Sequence, residues 1–208
     1  RLKLSAWMST NTGVAPTIDT ASAVAKKLNG LVITSSGNAI RGLQVVNFPG
    51  NGIVLQDGAQ DNTIGGDSTV GTGPLGQGNL ISGNGDDGVR VEGTGTMSNT
   101  ISGNIIGATL DGISALGNGG HGVQIVSSAT NTTVGGPTAG ERNVISGNGS
   151  YGIRISDEGT DGNVVIGNYI GVDASGLGGL GNAGDGVIVA FGAQHNRIGG
   201  PTAGERNV

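Results

Sequence analysis

Apolar residues, mostly Ile, Val and Leu, occur along the chain in short bursts that are separated by Gly- and Asn-rich segments. Short apolar runs bounded by turn residues predict β-strands. A set of three bursts follows each Asn-x-Ile/Val signature, and one set with its three turns takes 24 residues, 38–61. That is the length of one coil of a three-sided parallel β-solenoid. The signatures place corner asparagines at Asn38, Asn62, Asn99, Asn163 and Asn196, with Thr132 in the place of Asn once.

The third burst of each coil tests this prediction, because successive side chains of a strand face opposite sides of a sheet. Two columns of alternate residues are entirely aliphatic, and coils stacked about 4.8 Å apart would bury them as continuous ladders. The residues between the columns are mixed and are expected to face outward. The pattern therefore predicts an all-β fold, a right-handed three-sided parallel β-helix of five to six coils. The columns are Ile53, Val89, Val123, Ile153 and Val187, then Leu55, Val91, Ile125, Ile155 and Val189; the residues between them are Val54, Arg90, Gln124, Arg154 and Ile188.

A longer repeat overlies the coils. The stretch GGPTAGERNV occurs at 135–144 and again at 199–208, which is 64 residues later, and from residue 78 onward the chain consists of two copies of this unit. Insertions lie at the first corner in one coil and at the second corner in the next. We therefore predict two coils per unit, with loops on fixed faces of the solenoid. The insertions are 67–78 and 137–142 at the first corner, and 108–120 and 172–184 at the second.

The two ends of the chain differ in what they predict. Residues 31–208 carry the repeats, whereas residues 1–30 do not, and we expect the latter to form an N-terminal cap with a short helix or strand at 17–28. Val208 is equivalent to Val144, so the sequence stops in the middle of a coil. We expect the native polypeptide to continue with further units, or a second chain to stack end to end.

Composition narrows the possible partners. The chain of 208 residues has 45 Gly, 12% charged residues, a net charge of −5 and no Cys. A negative net charge disfavours binding to nucleic acid or to an anionic membrane, and no apolar run approaches the roughly 18 residues that span a bilayer. Gly-Asn pairs at 83–84, 103–104, 147–148 and 167–168 suit tight corners, where stacked Asn side chains can form ladders.

Several stretches resemble a known group of proteins. GNAIRGLQVVNFPGNGIVL (37–55), NTISGNIIG (99–107), GNAGDGVIV (181–189) and GGPTAGERNVISGN (135–148) resemble the right-handed parallel β-helix repeats of bacterial secreted and cell-surface proteins, which have the pectate-lyase-like fold. The resemblance covers roughly residues 30–208. It implies the fold and an extracellular or cell-surface location. It does not select a function, since the group includes adhesins, surface-layer and stalk segments, and carbohydrate-active enzymes.

Polygalacturonases of this fold use an Asn-x-Asp, an Asp-Asp, a Gly-His-Gly and an Arg-x-Lys on neighbouring coils. The resemblance makes Asp86, Asp87, His121 and Arg154 the candidate site residues. The Asn-x-Asp is missing, and Ser156 stands where Lys is expected. Inverting hydrolysis also needs two carboxyl groups about 6.5–9.5 Å apart, whereas adjacent Asp residues on an extended chain point to opposite sides. The alternative is a set of variable polar residues at an exposed corner.

Other chemistries find less support. All Lys residues lie in the first 27 residues, away from any acidic cluster that could serve β-elimination. Asp111 and Asp173 lie on Gly-rich loops and suit either Ca²⁺ binding or solubility.

We therefore expect a structural or adhesive solenoid segment, such as a spacer, stalk, sheath or surface layer, without catalytic residues, cofactor or metal. Expected partners are further copies of the chain, joined end to end or laterally, and polysaccharide or cell-surface components. The alternative is a carbohydrate-active enzyme or a polysaccharide-binding module.

Overall fold

The computed structural model describes residues 17–19 and 27–208, and it is a parallel β-solenoid of about five turns. The predicted all-β fold is confirmed. The strands are β1 (Thr17–Asp19), β2 (Leu31–Ile33), β3 (Ala39–Ile40), β4 (Gln44–Val46), β5 (Ile53–Leu55), β6 (Thr63–Gly65), β7 (Leu80–Ser82), β8 (Val89–Glu92), β9 (Thr100–Ser102), β10 (Ile105–Ile106), β11 (Val123–Val126), β12 (Thr133–Gly135), β13 (Val144–Ile145), β14 (Ile153–Ser156), β15 (Val164–Ile166), β16 (Tyr169–Ile170), β17 (Val187–Ala190) and β18 (Arg197–Ile198).

Each coil contributes one strand to each of three parallel sheets of six strands. Sheet 1 has the order β3-β6-β9-β12-β15-β18, sheet 2 the order β1-β4-β7-β10-β13-β16, and sheet 3 the order β2-β5-β8-β11-β14-β17. The first corner joins sheet 1 to sheet 2, the second joins sheet 2 to sheet 3, and the third returns to sheet 1. The other regular elements in the described residues are two 3-10 helices, Ala139–Glu141 and Ala203–Glu205, and no helix there is long and apolar enough to cross a membrane.

The register of sheet 3 is the predicted one. Val123 pairs with Val89 on one side and with Ile153 on the other, and all three are fully buried. The residues between the columns lie on the outward face, as predicted, but two of them are buried there, since Val54 is 1% and Gln124 6% exposed. Gln124 lies between two arginines in the register, and long side chains of this type cover their neighbours.

Sheet 2 is apolar on its inward face and largely apolar on its outward face. Its outward residues Leu80, Ile105 and Val144 form a second hydrophobic cluster outside the main core. Leu75 from a first-corner insertion and Leu180 from a second-corner insertion pack against this cluster. The insertions therefore fold back over the outward face of sheet 2 from both ends of its strands and cover part of that face.

Loop contacts give the physical reason for a two-coil repeat. At the first corner the Ser68 amide donates to the Gly140 carbonyl at 2.8 Å, and at the second corner the Ala174 amide donates to the Gly112 carbonyl at 2.9 Å. In both cases the loops belong to alternate coils and meet across a coil whose corner is tight. Along the solenoid axis, each insertion thus has the space of two coils, about 9.6 Å, in which to pack, instead of the space of one.

Side-chain ladders of asparagine run along all three corners. In each rung, the backbone N–H and the Nδ2 of one Asn donate to the Oδ1 of the Asn in the next coil, as between Asn62 and Asn99 at 3.0 Å each. These bonds satisfy buried corner amides that a tight turn leaves without a strand partner. The ladders contain Asn79, Asn104, Asn143, Asn168 and Asn207 at the first corner, Asn84, Asn118, Asn148 and Asn182 at the second, and Asn38, Asn62, Asn99, Asn163 and Asn196 at the third.

The third-corner ladder has one defect, which is Thr132. Its backbone N–H donates to Asn163 Oδ1 at 2.9 Å, as an Asn there would. Its side-chain hydroxyl, however, is the one buried side-chain polar atom without a hydrogen-bond partner in the described part of the chain. Thr132 therefore keeps the backbone hydrogen bond to Asn163 but lacks the side-chain hydrogen bonds that an Asn would make.

The predicted N-terminal cap lies largely outside the described residues. Within it, β1 adds a strand to sheet 2 by pairing with β4 in parallel register. Residues 1–16 and 20–26, which include most of the proposed helix or strand at 17–28, are not among those described.

Candidate functional site

The candidate site lies at the start of sheet 3 and on its outward face. Adjacent strands β8, β11 and β14 pair in register, so the residues two positions before each strand form one column, Asp87, His121 and Tyr151. The second residues of these three strands form a row on the outward face, which consists of Arg90, Gln124 and Arg154. We call these six residues the sheet-3 cluster. Three of the four predicted site residues, Asp87, His121 and Arg154, are members of it.

The column is a second kind of ladder. The Asp87 amide donates to Asn51 Oδ1 at 3.0 Å, the His121 amide donates to Asp87 Oδ1 at 2.8 Å, and the Tyr151 amide donates to His121 Nδ1 at 3.3 Å. Asn, Asp and neutral His share an acceptor atom at a similar reach. The position tolerates these three residue types because each accepts a backbone N–H from the coil above.

Asp87 does not lie at an exposed corner, which corrects that expectation. Its side chain is 8% exposed, and its second oxygen, Oδ2, lies 3.4 Å from the Arg90 guanidinium. Arg90 also binds Glu92 at 2.7 Å and donates to the Oε1 of Gln124. One guanidinium therefore neutralises two carboxylates and ties two coils together.

Asp86 points elsewhere. Its carboxylate forms an ion pair with Lys27 Nζ at 2.8 Å, away from the Asp87 carboxylate, which binds Arg90. Both carboxylates are thus already engaged by cations. A glycoside hydrolase instead needs one carboxyl group free to protonate the leaving oxygen and a second that activates water or attacks. The geometry of Asp86 and Asp87 does not supply that pair.

His121 and Tyr151 are stacked, with ring centroids 5.2 Å apart and planes within 3° of parallel. Burial lowers the pKa of His121, the Asp87 carboxylate opposes this shift, and Arg154 and Arg90 lower the pKa further. The net shift of the pKa is downward, which favours the neutral form of the ring. That form is the one that accepts the Tyr151 amide.

Arg154 makes fewer hydrogen bonds than Arg90, its counterpart two coils below. Its Nε donates to Ser156 Oγ at 3.1 Å, and its guanidinium lies 5.5 Å from the centroid of the Phe191 ring. Phe191 is 71% exposed and has a left-handed backbone with a φ of 53°. An exposed aromatic residue in this conformation is uncommon.

The described residues contain no group of three His, Asp or Glu side chains that could hold a metal ion. The two loop carboxylates considered for Ca²⁺ bind their own loops. Asp111 accepts from the Thr109 hydroxyl at 2.6 Å, and Asp173 accepts from the Ser175 amide at 3.0 Å and the Gly178 amide at 3.2 Å. Hydrogen bonds from Thr109 and Ser175 are the main cause that lowers the pKa of these two carboxyl groups.

A pocket on the sheet 2 side is too small for a substrate. It lies between the loop that contains Pro74 and Leu75 and the tip at Leu110, and its volume is about 20 Å³. That space holds about one water molecule, whereas small-molecule sites usually measure about 300–1,000 Å³.

The predicted corner residues lie in the third-corner ladder; they are Asn38, Asn62, Asn99, Asn163 and Asn196. The sequence did not predict that Asp87 and His121 act as ladder acceptors. The available signal was that Asn51, Asp87 and His121 occupy one repeat position and all carry an acceptor.

No protein-family model matches the chain, and neither a curated protein nor a solved structure shows significant similarity to it. The resemblance to pectate-lyase-like repeats of bacterial surface proteins therefore stays a prediction. What stands is the parallel β-solenoid and the local geometry of its faces.

Proposed function

We propose that the chain is an extracellular or cell-surface structural segment, a spacer, stalk, sheath or surface-layer element, with adhesive contacts on its faces. One observation carries the proposal. The side chains that could do chemistry are used to join coils, since Asp87 and His121 each accept a backbone N–H from the next coil. Catalytic groups must instead face a substrate with a free acid or base.

The repeat supports the same proposal. The two copies of the two-coil unit share corner ladders that continue from coil to coil and loop contacts that join alternate coils. A solenoid of this kind is extended by adding units, since each repeat unit contacts only its neighbours. Its proposed partners are further copies of the chain, arranged end to end or laterally, and polysaccharide or other cell-surface components.

A carbohydrate-active enzyme or a polysaccharide-binding module is the second candidate. The observation in its favour is the outward position of Arg154 beside the exposed ring of Phe191, because an aromatic face next to a cation suits an acidic sugar.

An activity and binding panel distinguishes the two candidates. The chain is incubated with pectins, alginates and related polymers, and reducing ends and unsaturated uronates are measured. The structural proposal predicts no product above that of a heat-denatured control. Product formation that Asp87→Asn or His121→Ala abolishes, in variants with an unchanged circular dichroism spectrum, would establish the enzyme instead. Saturable binding without product that Arg154→Ala removes would establish the binding module.

A further inference from the structure

We propose that His121 makes the stack of coils sensitive to acid, because protonation of its ring removes the hydrogen bond that joins its coil to the coil of Tyr151. This property goes beyond the structural role proposed above and does not depend on it. It rests on the ladder geometry at the start of sheet 3.

The imidazole Nδ1 accepts the Tyr151 amide at 3.3 Å, and the ring stacks on the Tyr151 ring. Only a neutral imidazole has an acceptor nitrogen, since the imidazolium carries N–H at both ring positions. Protonation would therefore place an N–H at His121 Nδ1 opposite the N–H of Tyr151, so that two donors face each other and the hydrogen bond is lost. The other rungs of the column use side-chain oxygens of Asn51 and Asp87 as acceptors, so His121 supplies the one ring-nitrogen acceptor among these three rungs.

The charged groups around the ring come from both neighbouring coils. In the coil below, Asp87 favours the protonated form and Arg90 disfavours it; in the coil above, Arg154 disfavours it, and Tyr151 covers one ring face. Asp86, which precedes Asp87 in the coil below, is paired with Lys27, and Glu92 is paired with Arg90. Burial is the largest influence and lowers the pKa of His121.

The sign of the pH effect follows from this shift. The folded chain binds a proton at His121 less readily than the unfolded chain, in which histidine titrates near pH 6.5. Stability is therefore fully present above about pH 6.5 and decreases as the pH falls from there to the pKa of the folded state. Below that pKa the contribution is constant.

The chain has two histidines, which provides a matched control. His121→Asn keeps an acceptor at the rung, as Asn51 does at the same position two coils below, but removes the titration. His195→Asn removes the other histidine at an exposed turn with a φ of 56°, a backbone conformation that Asn tolerates. The wild-type chain and both variants are melted between pH 8 and pH 5, above the range in which carboxyl groups dominate.

We expect the melting temperatures of the wild type and His195→Asn to fall across this range, and that of His121→Asn to stay nearly flat. Native-state hydrogen exchange supplies a local readout. After correction for the intrinsic rate, the Tyr151 amide should exchange about fivefold faster below the His121 midpoint, measured by NMR titration of the ring, than at pH 7.5, the factor for one lost hydrogen bond. The Asp87 amide, whose acceptor is Asn51, should not change.

The outcomes that overturn the proposal are specific. An equal pH slope in His121→Asn and the wild type would exclude His121 as the sensor, and loss of the slope in His195→Asn would assign it to His195. If His121→Asn does not fold, NMR titration of the wild-type ring decides. A His121 midpoint at or above pH 6.5, or an unchanged Tyr151 exchange rate, would refute the proposal.

Discussion

Replacing Thr132 with Asn should complete the third-corner ladder and stabilise the chain. In the intact rung below it, Asn99 Oδ1 accepts both the backbone N–H and the Nδ2 of Asn62 at 3.0 Å. At residue 132 the hydroxyl is fully buried and has no partner. An Asn there would offer its Oδ1 to Asn99, and its Nδ2 would reach a carbonyl of the coil below, as Asn163 Nδ2 does with Ala129 at 3.3 Å.

The expected magnitude follows from the bonds gained. Each new hydrogen bond contributes about 0.5–1.5 kcal/mol net, and removing an orphaned buried hydroxyl contributes about 1 kcal/mol more. After the cost of fixing a longer side chain, we expect a gain of about 2 kcal/mol in the free energy of unfolding. For a chain of this size, that gain raises the melting temperature by roughly 4–8 °C.

Two control variants make the test specific. Thr132→Val removes the unpaired hydroxyl at nearly constant volume and should be neutral or stabilising by up to about 1 kcal/mol. Thr133→Asn places the same new side chain one residue later, on the outward face of β12, and should not stabilise. Differential scanning calorimetry measures all three. If Thr132→Asn and Thr132→Val both destabilise, the hydroxyl has a partner and the proposed defect does not exist.

Two further pairs of variants test the close packing of coils by thermal and urea unfolding. Gly135→Ala and Gly58→Ala both place a side chain on left-handed backbone, with φ of 92° and 79°, but only the Cβ at 135 would overlap the Ile166 carbonyl oxygen. Gly135→Ala should cost at least about 2 kcal/mol more than Gly58→Ala, and equal costs would contradict the packing. Asn104→Ala removes an interior rung and should cost about 3 kcal/mol, against about 1 kcal/mol or less for Asn38→Ala at a half-buried rung with one ladder neighbour. A reversed order would mean that the ladders do not couple the coils.

The strand register could be predicted from sequence because each aliphatic column repeats at a fixed place in the coil. A shift of one residue would move Val123 from the core to the outward face, so the pattern admits a single register. The alternation of loops was also visible in the 64-residue repeat. Its cause was not, because the contact between Ser68 and Gly140 joins loops of different coils.

The candidate site was less predictable. Sequence placed Asp87, His121 and Arg154 near one another, but it could not show which atoms face outward. Backbone N–H groups take up Asp87 Oδ1 and His121 Nδ1, and whether such a side chain bonds the next coil or points to solvent depends on local backbone geometry that the sequence pattern does not show. The cover over sheet 2 was missed for a similar reason, since Leu75 and Leu180 come from loops whose path has no periodic pattern.

The central claim is that the coils stack with two inward aliphatic columns on sheet 3, and aspartate substitutions in β11 test it most directly. Val123→Asp puts a carboxylate among fully buried Val89 and Ile153, and an unpaired buried charge costs several kcal/mol. Gln124→Asp is the matched control, because its carboxylate lies on the outward face between Arg90 and Arg154. Urea unfolding followed by circular dichroism should show Val123→Asp unfolded or destabilised by at least about 3 kcal/mol, with Gln124→Asp within about 1 kcal/mol of the wild type. A Val123→Asp variant with unchanged spectrum and unfolding midpoint would contradict the structure described here.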